Sequence, residues 1–118
     1  TTEFFFGDDE NNLTEYAWFE LNGGEKTHPV GLKKPNNWGL FDIAGNVWEW
    51  CEDVWKSDYQ DFPSDGSPNL KNIEKQHRRA TRGASFAMNA FRCRSSYRSF
   101  DWNDTATEKL GFRVIMEL

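Results

Sequence analysis

The sequence predicts a single loop-rich domain with wide, irregular sheets rather than a helical bundle, and three observations lead there. Phe, Trp and Tyr make up 16% of the 118 residues while Leu, Ile and Val are scarce, so core volume must come from large, rigid rings. Candidate strands are short and bounded by turn formers, whereas the helical signal is brief, Leu13, Tyr16 and Ala17 at i, i+3 and i+4. The length suits one domain with one core, burying about two thirds of its extended surface.

In order along the chain, Thr1 to Asn12 joins an aromatic run (Phe4, Phe5, Phe6) to an acidic turn, a short extended segment ending in a solvated loop. Leu13 to Phe19 suits one or two helical turns. Gly23 and Gly24 break the chain, and Lys26 to Gly31 reads as extended, with Pro29 placing it at an edge and His28 at the surface. Leu32 to Asn36 is a basic link into Asn37 to Asp53, where turn formers (Asn37, Gly39, Gly45, Asn46) meet the run Val47 to Cys51. That stretch is a tight loop feeding a buried strand. Lys56 to Lys75 is a long polar loop without apolar periodicity. His77 to Phe86 resumes strand character and ends in the small residues Gly83, Ala84 and Ser85. Alternation from Arg92 to Arg98 predicts a further strand with Arg92, Arg94 and Arg98 on one face. Phe100 to Lys109 is a polar excursion, and Leu110 to Met116 is the most hydrophobic strand.

Within the organising stretch, Asp42, Gly45, Val47 and Glu49 fall at i, i+3, i+5 and i+7. Two carboxylates, a carbonyl exposed by the turn and two residues on one side of a strand let four oxygen donors converge on Ca²⁺, with water or other loops completing its shell. The competing reading has Asp42 capping the turn and Glu49 pairing with an arginine.

The net charge of −5 conceals an asymmetry: fifteen of nineteen acids lie in Thr1 to Glu74, while Lys75 to Phe100 has none and carries six arginines. Such a block suits nucleic acid, but an acidic chain as a whole repels phosphate, so the expectation is mutual neutralisation inside one fold and no nucleic-acid partner. Cys51 and Cys93 are too few for a disulfide framework or a zinc site, and the expectation is two buried thiols, with one bridge open to them if the fold brings them together. The chain starts at Thr1 with no apolar leader or membrane-spanning stretch, and it reads as part of something longer.

Four blocks in order carry a family resemblance: T-T-E-F-F-F-G-D-D, H-P-V-G-x-x-x-P-N-x-W-G-L-F-D-I-A-G-N-V-W-E-W, R-G-A-S-F, and C-R-S-S-Y-R-x(11)-L-G-F-R-V. With them the chain resembles the C-terminal part of the formylglycine-generating enzyme family, or sulfatase-modifying factors. The resemblance implies an irregular α+β fold related to C-type lectins, low in regular structure, over residues 1–118, with the family's N-terminal portion missing. It also implies Ca²⁺ at Asp42, Gly45, Val47 and Glu49, while a second family calcium position falls near Trp18 and is lost.

Active members of that family oxidise a sulfatase cysteine using O₂, copper and two cysteines spaced five apart. The matching positions here are Met88 and Cys93, and between Cys93 and Arg98 this chain is three residues shorter. A thioether in place of a thiolate loses a negative charge and a disulfide partner. The ungapped C-terminal pattern is also similar to non-catalytic members, including variable ligand-binding proteins of diversity-generating retroelements. The expectation is therefore a calcium-stabilised binding module for a peptide, a protein or a small anionic ligand. Its surface would include Ser85, Ala87, Met88, Asn89, Phe91, Arg94, Tyr97, Arg98 and Trp102. The alternatives are copper-dependent oxidation through Cys93 and a retroelement variable protein.

Overall fold

A computed structural model describes residues 1–116. Four short strands form one sheet in the order β3-β2-β1-β4: β1 Trp48–Val54, β2 Arg78–Arg82, β3 Ser99–Trp102 and β4 Leu110–Gly111. β2 runs antiparallel to both β1 and β3, and β4 lies parallel to β1. The β1–β2 register slips between Trp50 and Val54, which bends the sheet. Among the described residues the one α-helix, α1, is a single turn, Leu13–Tyr16, preceded by a 3₁₀ turn at Glu10–Asn12. The architecture is therefore a small, loop-rich α+β domain, as its composition demands. No helix among the described residues is long and apolar enough to cross a membrane.

The core is small and assembled from distant parts of the chain. Phe4, Leu13, Ala17, Phe19, Ala44, Ala84, Ala90 and Cys93 are buried together, with Phe5, Phe6, Trp48 and Met88 packed against them. Alanines at four of those eight positions bring backbone close to backbone, and rings fill the remaining space. Phe6 stacks on Tyr16 with centroids 4.3 Å apart, and Phe5 meets the edge of both rings.

The turn before β1 ties this core together. Gly45 N–H donates to the Gly83 carbonyl at 2.7 Å, Asn46 N–H to the Trp18 carbonyl at 2.7 Å, and Phe86 N–H to the Asn46 carbonyl at 2.9 Å. A Cβ at Gly45 would stand 2.2 Å from the Trp18 carbonyl oxygen, and its φ of +75° lies in the left-handed region, so both space and backbone require glycine. The Asn46 side chain then clasps the His28 backbone, accepting from its N–H at 2.9 Å and donating to its carbonyl at 3.0 Å.

Several expectations need correction. The segment expected to carry three guanidinium groups on one strand face instead forms a 3₁₀ turn, Ala90–Cys93, because the Asn89 side chain accepts from Arg92 N–H and caps it. Strand structure begins only at Ser99 and runs into the stretch read as a polar excursion, where Arg79 and Ala80 of β2 pair with Asp101 and Phe100. The hydrophobic run Leu110 to Met116 contributes two strand residues, and beyond them Phe112, Val114, Ile115 and Met116 are exposed. His28 is half-buried rather than at the surface: it stacks 3.8 Å from the Trp18 ring, and its Nε2 sits 2.6 Å from the Gly23 carbonyl. No strand forms at Lys26 to Gly31.

Candidate functional site

Two places in the fold collect the side chains with chemistry. The first is the cleft in front of β1. Asp42, Gly45, Val47 and Glu49 all line one cavity of about 430 Å³, so the sequence spacing does bring them together. Asp42 has φ +56° and is 7% exposed; one carboxylate oxygen accepts from Gly31 N–H at 2.9 Å. Its other oxygen, Oδ1, is buried without a partner. A carboxylate oxygen left so is costly unless a cation or donor reaches it.

Glu49 is not free. The Arg113 fork grips it, Nε to Oε2 at 2.6 Å and Nη2 to Oε1 at 2.5 Å, while Nη2 also donates to the carbonyls of Phe41 and Asp42 at 3.1 Å. The pairing of Glu49 with an arginine is therefore present, and the other reading, Asp42 as a cap, takes a different form: Asp42 holds the Gly31 backbone eleven residues away. Among the described residues no three His, Cys, Asp or Glu side chains cluster as a metal centre. An ion here must draw on backbone carbonyls as well as on the two acids. The donor set fits calcium on chemical type, since all are hard oxygens, and on the orphaned Asp42 Oδ1; it fits less well at Glu49, whose oxygens are shared with a guanidinium.

The second place is the end of β2 and the turns after it. Cys93 is 3% exposed, and burial, helped by the charge of Glu10, pushes its thiol up to about 12. Cys51, half-buried on β1, is also raised by burial, and both cysteines are free. Ser85 is fully buried, with Oγ accepting from Ala87 N–H at 3.3 Å, so it supports the turn and does not reach the surface. Met88 packs against the core, and Arg92 donates to its sulfur at 3.4 Å.

The expected ligand surface divides in two. On one side Phe91 meets Tyr97 edge-on at 5.8 Å, the Arg94 guanidinium lies 3.6 Å over the Phe91 ring, and Asn89 is exposed beside them in sequence. On the other, Arg98 sits among Trp55, Tyr59 and Phe62 at 4.8, 4.3 and 5.6 Å and donates to the Lys56 carbonyl at 2.7 Å. Trp102 is linked to this second group only indirectly: Arg78 lies 6.0 Å from its exposed ring and 5.0 Å from Phe100, which packs on Trp55. Sequence reasoning missed Arg113, which the strand reading left as an ordinary member of a hydrophobic run, and the Tyr59 and Phe62 cage, hidden in a loop without periodicity.

The expected neutralisation of the arginine block by the acidic half is not made through direct pairs. Among the described residues the ion pairs are Lys34 with Glu15, Lys56 with Asp58 and Asp61, and Arg113 with Glu49. The arginines from Arg78 to Arg98 instead use neutral acceptors and ring faces. Arg82, for example, donates to the Ser95 carbonyl at 2.9 Å and to the Tyr59 hydroxyl at 2.9 Å.

Comparison with known proteins places these features. The family model described as the sulfatase-modifying factor enzyme 1-like domain matches residues 6–118. A formylglycine-generating enzyme of Thermomonospora curvata is 34% identical over 96 residues, covering 78% of this chain and 32% of that protein. The mouse protein named inactive C-alpha-formylglycine-generating enzyme 2 is 34% identical over 91 residues, 72% of this chain and 24% of that one. Among solved structures, Treponema denticola variable protein 1 superposes with a TM-score of 0.78 at 39% identity, over 89% of this chain and 37% of its own. The chain thus spans about a third or less of the length of the curated relatives it matches.

Proposed function

The chain belongs to the sulfatase-modifying factor enzyme 1-like family, and from that membership we propose that it acts as a calcium-stabilised binding module on this scaffold, without cysteine oxidation chemistry. The observation that carries the reading is Cys93: a thiol buried in the core, held neutral, and followed back five residues by a thioether at Met88 rather than a second thiol. Soft-metal redox chemistry wants thiolates, and this position disfavours one. Calcium, in this reading, takes oxygens from Asp42 and Glu49 and the carbonyls of Gly45 and Val47, pinning the turn before β1 in the C-type-lectin-like arrangement that the family resemblance implies. Phe91 and Tyr97, with Ala87, Met88 and Asn89 nearby in sequence, form the ligand face. Two ring anchors beside small and adaptable residues suit a peptide, protein or small anionic ligand.

A second reading is favoured by the similarity to the Treponema denticola variable protein: the face around residues 87 to 102 is the changeable part of a fixed scaffold. The enzyme alternative demands copper bound through Cys93 and conversion of a C-x-P-x-R peptide. Incubation of such a peptide with the chain, copper and reductant, read by mass spectrometry, is expected to leave the cysteine unchanged; formylglycine would end the binding-module proposal. Peptides selected against the immobilised chain are expected to lose at least about tenfold in affinity on Phe91→Ala or Tyr97→Ala, as ring anchors do.

A further inference from the structure

The binding reading leaves the chemistry of the ligand open, and a cavity beside the ligand face narrows it. Between the end of β2 and the turn after Cys93 lies a space of about 270 Å³. Phe5, Ile43, Ala44 and Cys93 give it apolar walls, and two arginines, Arg82 and Arg94, are among the residues that complete its lining. No carboxylate is among its lining residues, and the Cys93 thiol contributes no negative charge at neutral pH. Glu10 acts on Cys93 from nearby but does not line the space.

The two arginines are held differently. Arg82 is fixed by carbonyls: Nη1 donates to Ser95 at 2.9 Å and to Tyr97 at 3.4 Å, and Nη2 donates to the Tyr59 hydroxyl at 2.9 Å. Arg94 is anchored only at its root, Nε donating to the Phe91 carbonyl at 2.9 Å with the guanidinium plane over the Phe91 ring. Among the described residues its terminal amino groups make no hydrogen bond, and neither arginine pairs with a carboxylate. Two cations at one partly desolvated cavity repel each other until an anion joins them, and a free guanidinium fork is shaped to take a carboxylate. Apolar walls on the remaining sides would enclose a short tail.

We propose that this cavity binds a carboxylate carrying a short apolar tail, with Arg94 as the recognising fork and Arg82 as the fixed positive charge behind it. This rests on the binding-module reading and names the ligand's chemistry. The same chemistry is offered by a free organic acid and by a peptide C-terminus, and the cavity's size favours the free acid.

The test titrates the intact chain with 3-phenylpropionate, its primary amide, and a dipeptide ending in Phe as free acid, following the backbone amide signals of Gly83, Cys93 and Ser95 by ¹H–¹⁵N NMR. The free acid is expected to shift these signals saturably, the amide to bind at least about tenfold more weakly, and Arg94→Gln to lose about the same, as a charge-assisted bidentate pair requires. Arg94→Lys, which keeps the charge without the fork, should fall between. Since Arg94 makes one hydrogen bond to its own turn, the variant's unchanged melting temperature serves as the folding control. Equal binding of acid and amide, parent-like binding by Arg94→Gln, or no saturable shift of those amides overturns the proposal. Binding of the dipeptide in preference to 3-phenylpropionate overturns the choice of the free acid. None of these outcomes touches the selected-peptide and peptide-oxidation experiments, so the two failures remain distinguishable.

Discussion

At the scale of single residues, Asp42 and Cys93 carry opposite electrostatic problems. Asp42 buries a carboxylate oxygen with nothing to meet it, so a cation that reaches Oδ1 stabilises the folded chain and not the unfolded one. Melting in Ca²⁺ at about a hundred times its dissociation constant should exceed that in chelator by about 2.7 kcal/mol, and Asp42→Ala should abolish the difference. If the parent melts identically in both, calcium is not held here. Arg113 supplies a second reading of the same seat: because its fork already grips Glu49, Arg113→Gln should cost about 1–2 kcal/mol in chelator and less in Ca²⁺, which takes over the freed carboxylate. Equal costs in the two conditions would show that ion and guanidinium do not share Glu49.

Cys93 is the reverse case, a group that burial keeps neutral. Its folded thiol titrates at about 12 against 9.0 as an ordinary thiol, so above about pH 9 the unfolded chain releases a proton that the folded chain retains. The folded state binds more protons there, and the contribution, complete below pH 9, is lost as pH rises towards 12, by up to about 1.4 kcal/mol per pH unit. Chemical denaturation from pH 8 to 10.5 should show a steeper loss for the parent than for Cys93→Ala, with the other titrating groups cancelling in the comparison. Parallel curves would mean that the thiol ionises as if exposed. That Asp42, Gly45, Val47 and Glu49 face one cavity was legible in their spacing, whereas the burial of Cys93 was expected only as a tendency of its residue type.

Elements were legible where a strand follows a tight turn and illegible where side-chain bonds decide the backbone. β2 lies within the stretch read as a strand and β1 starts inside its own, running on to Val54, since Gly45 and Asn46 mark the entry and Gly83 the exit. The stretch from Arg92 to Arg98 alternates like a strand, yet one Asn89 cap turns its start into a 3₁₀ turn, a local bond that periodicity cannot register. The long loop between β1 and β2 has a similar hidden device: Arg98, just before β3, reaches back into the ring cage of Trp55, Tyr59 and Phe62 and bonds the Lys56 carbonyl. Removing that clamp with Arg98→Ala should cost about 1–2 kcal/mol and raise hydrogen exchange and proteolysis in residues 56 to 75. Lysine should restore less than half, since an ammonium cannot stack flat among rings. Unchanged exchange in that loop would show that its own turns hold it.

For the whole molecule the unusual feature is apolar surface that the fold leaves open. Val30 is 79% exposed, Trp38 86% and Phe112 74%, and Phe112, Leu40, Phe41 and Val30 all line the cleft that holds Asp42 and Glu49. Val114, Ile115 and Met116 extend the same apolar character past β4, whose outer edge has no neighbour in the sheet among the described residues. Composition signalled the rings but not their exposure, because which faces stay open depends on what packs beside them. A contiguous apolar area next to an open strand edge drives association, at about 25 cal/mol per Å² removed from water. The isolated chain should therefore bind a hydrophobic dye and show a mass in sedimentation that rises with concentration. Phe112→Thr with Ile115→Thr should reduce both without lowering the melting temperature, since neither side chain is in the core. If instead the chain sediments as a dye-silent monomer at every concentration, the apolar run folds back over the cleft that holds Asp42 and Glu49. In that case Ca²⁺ affinity, not self-association, is what the same two substitutions should change.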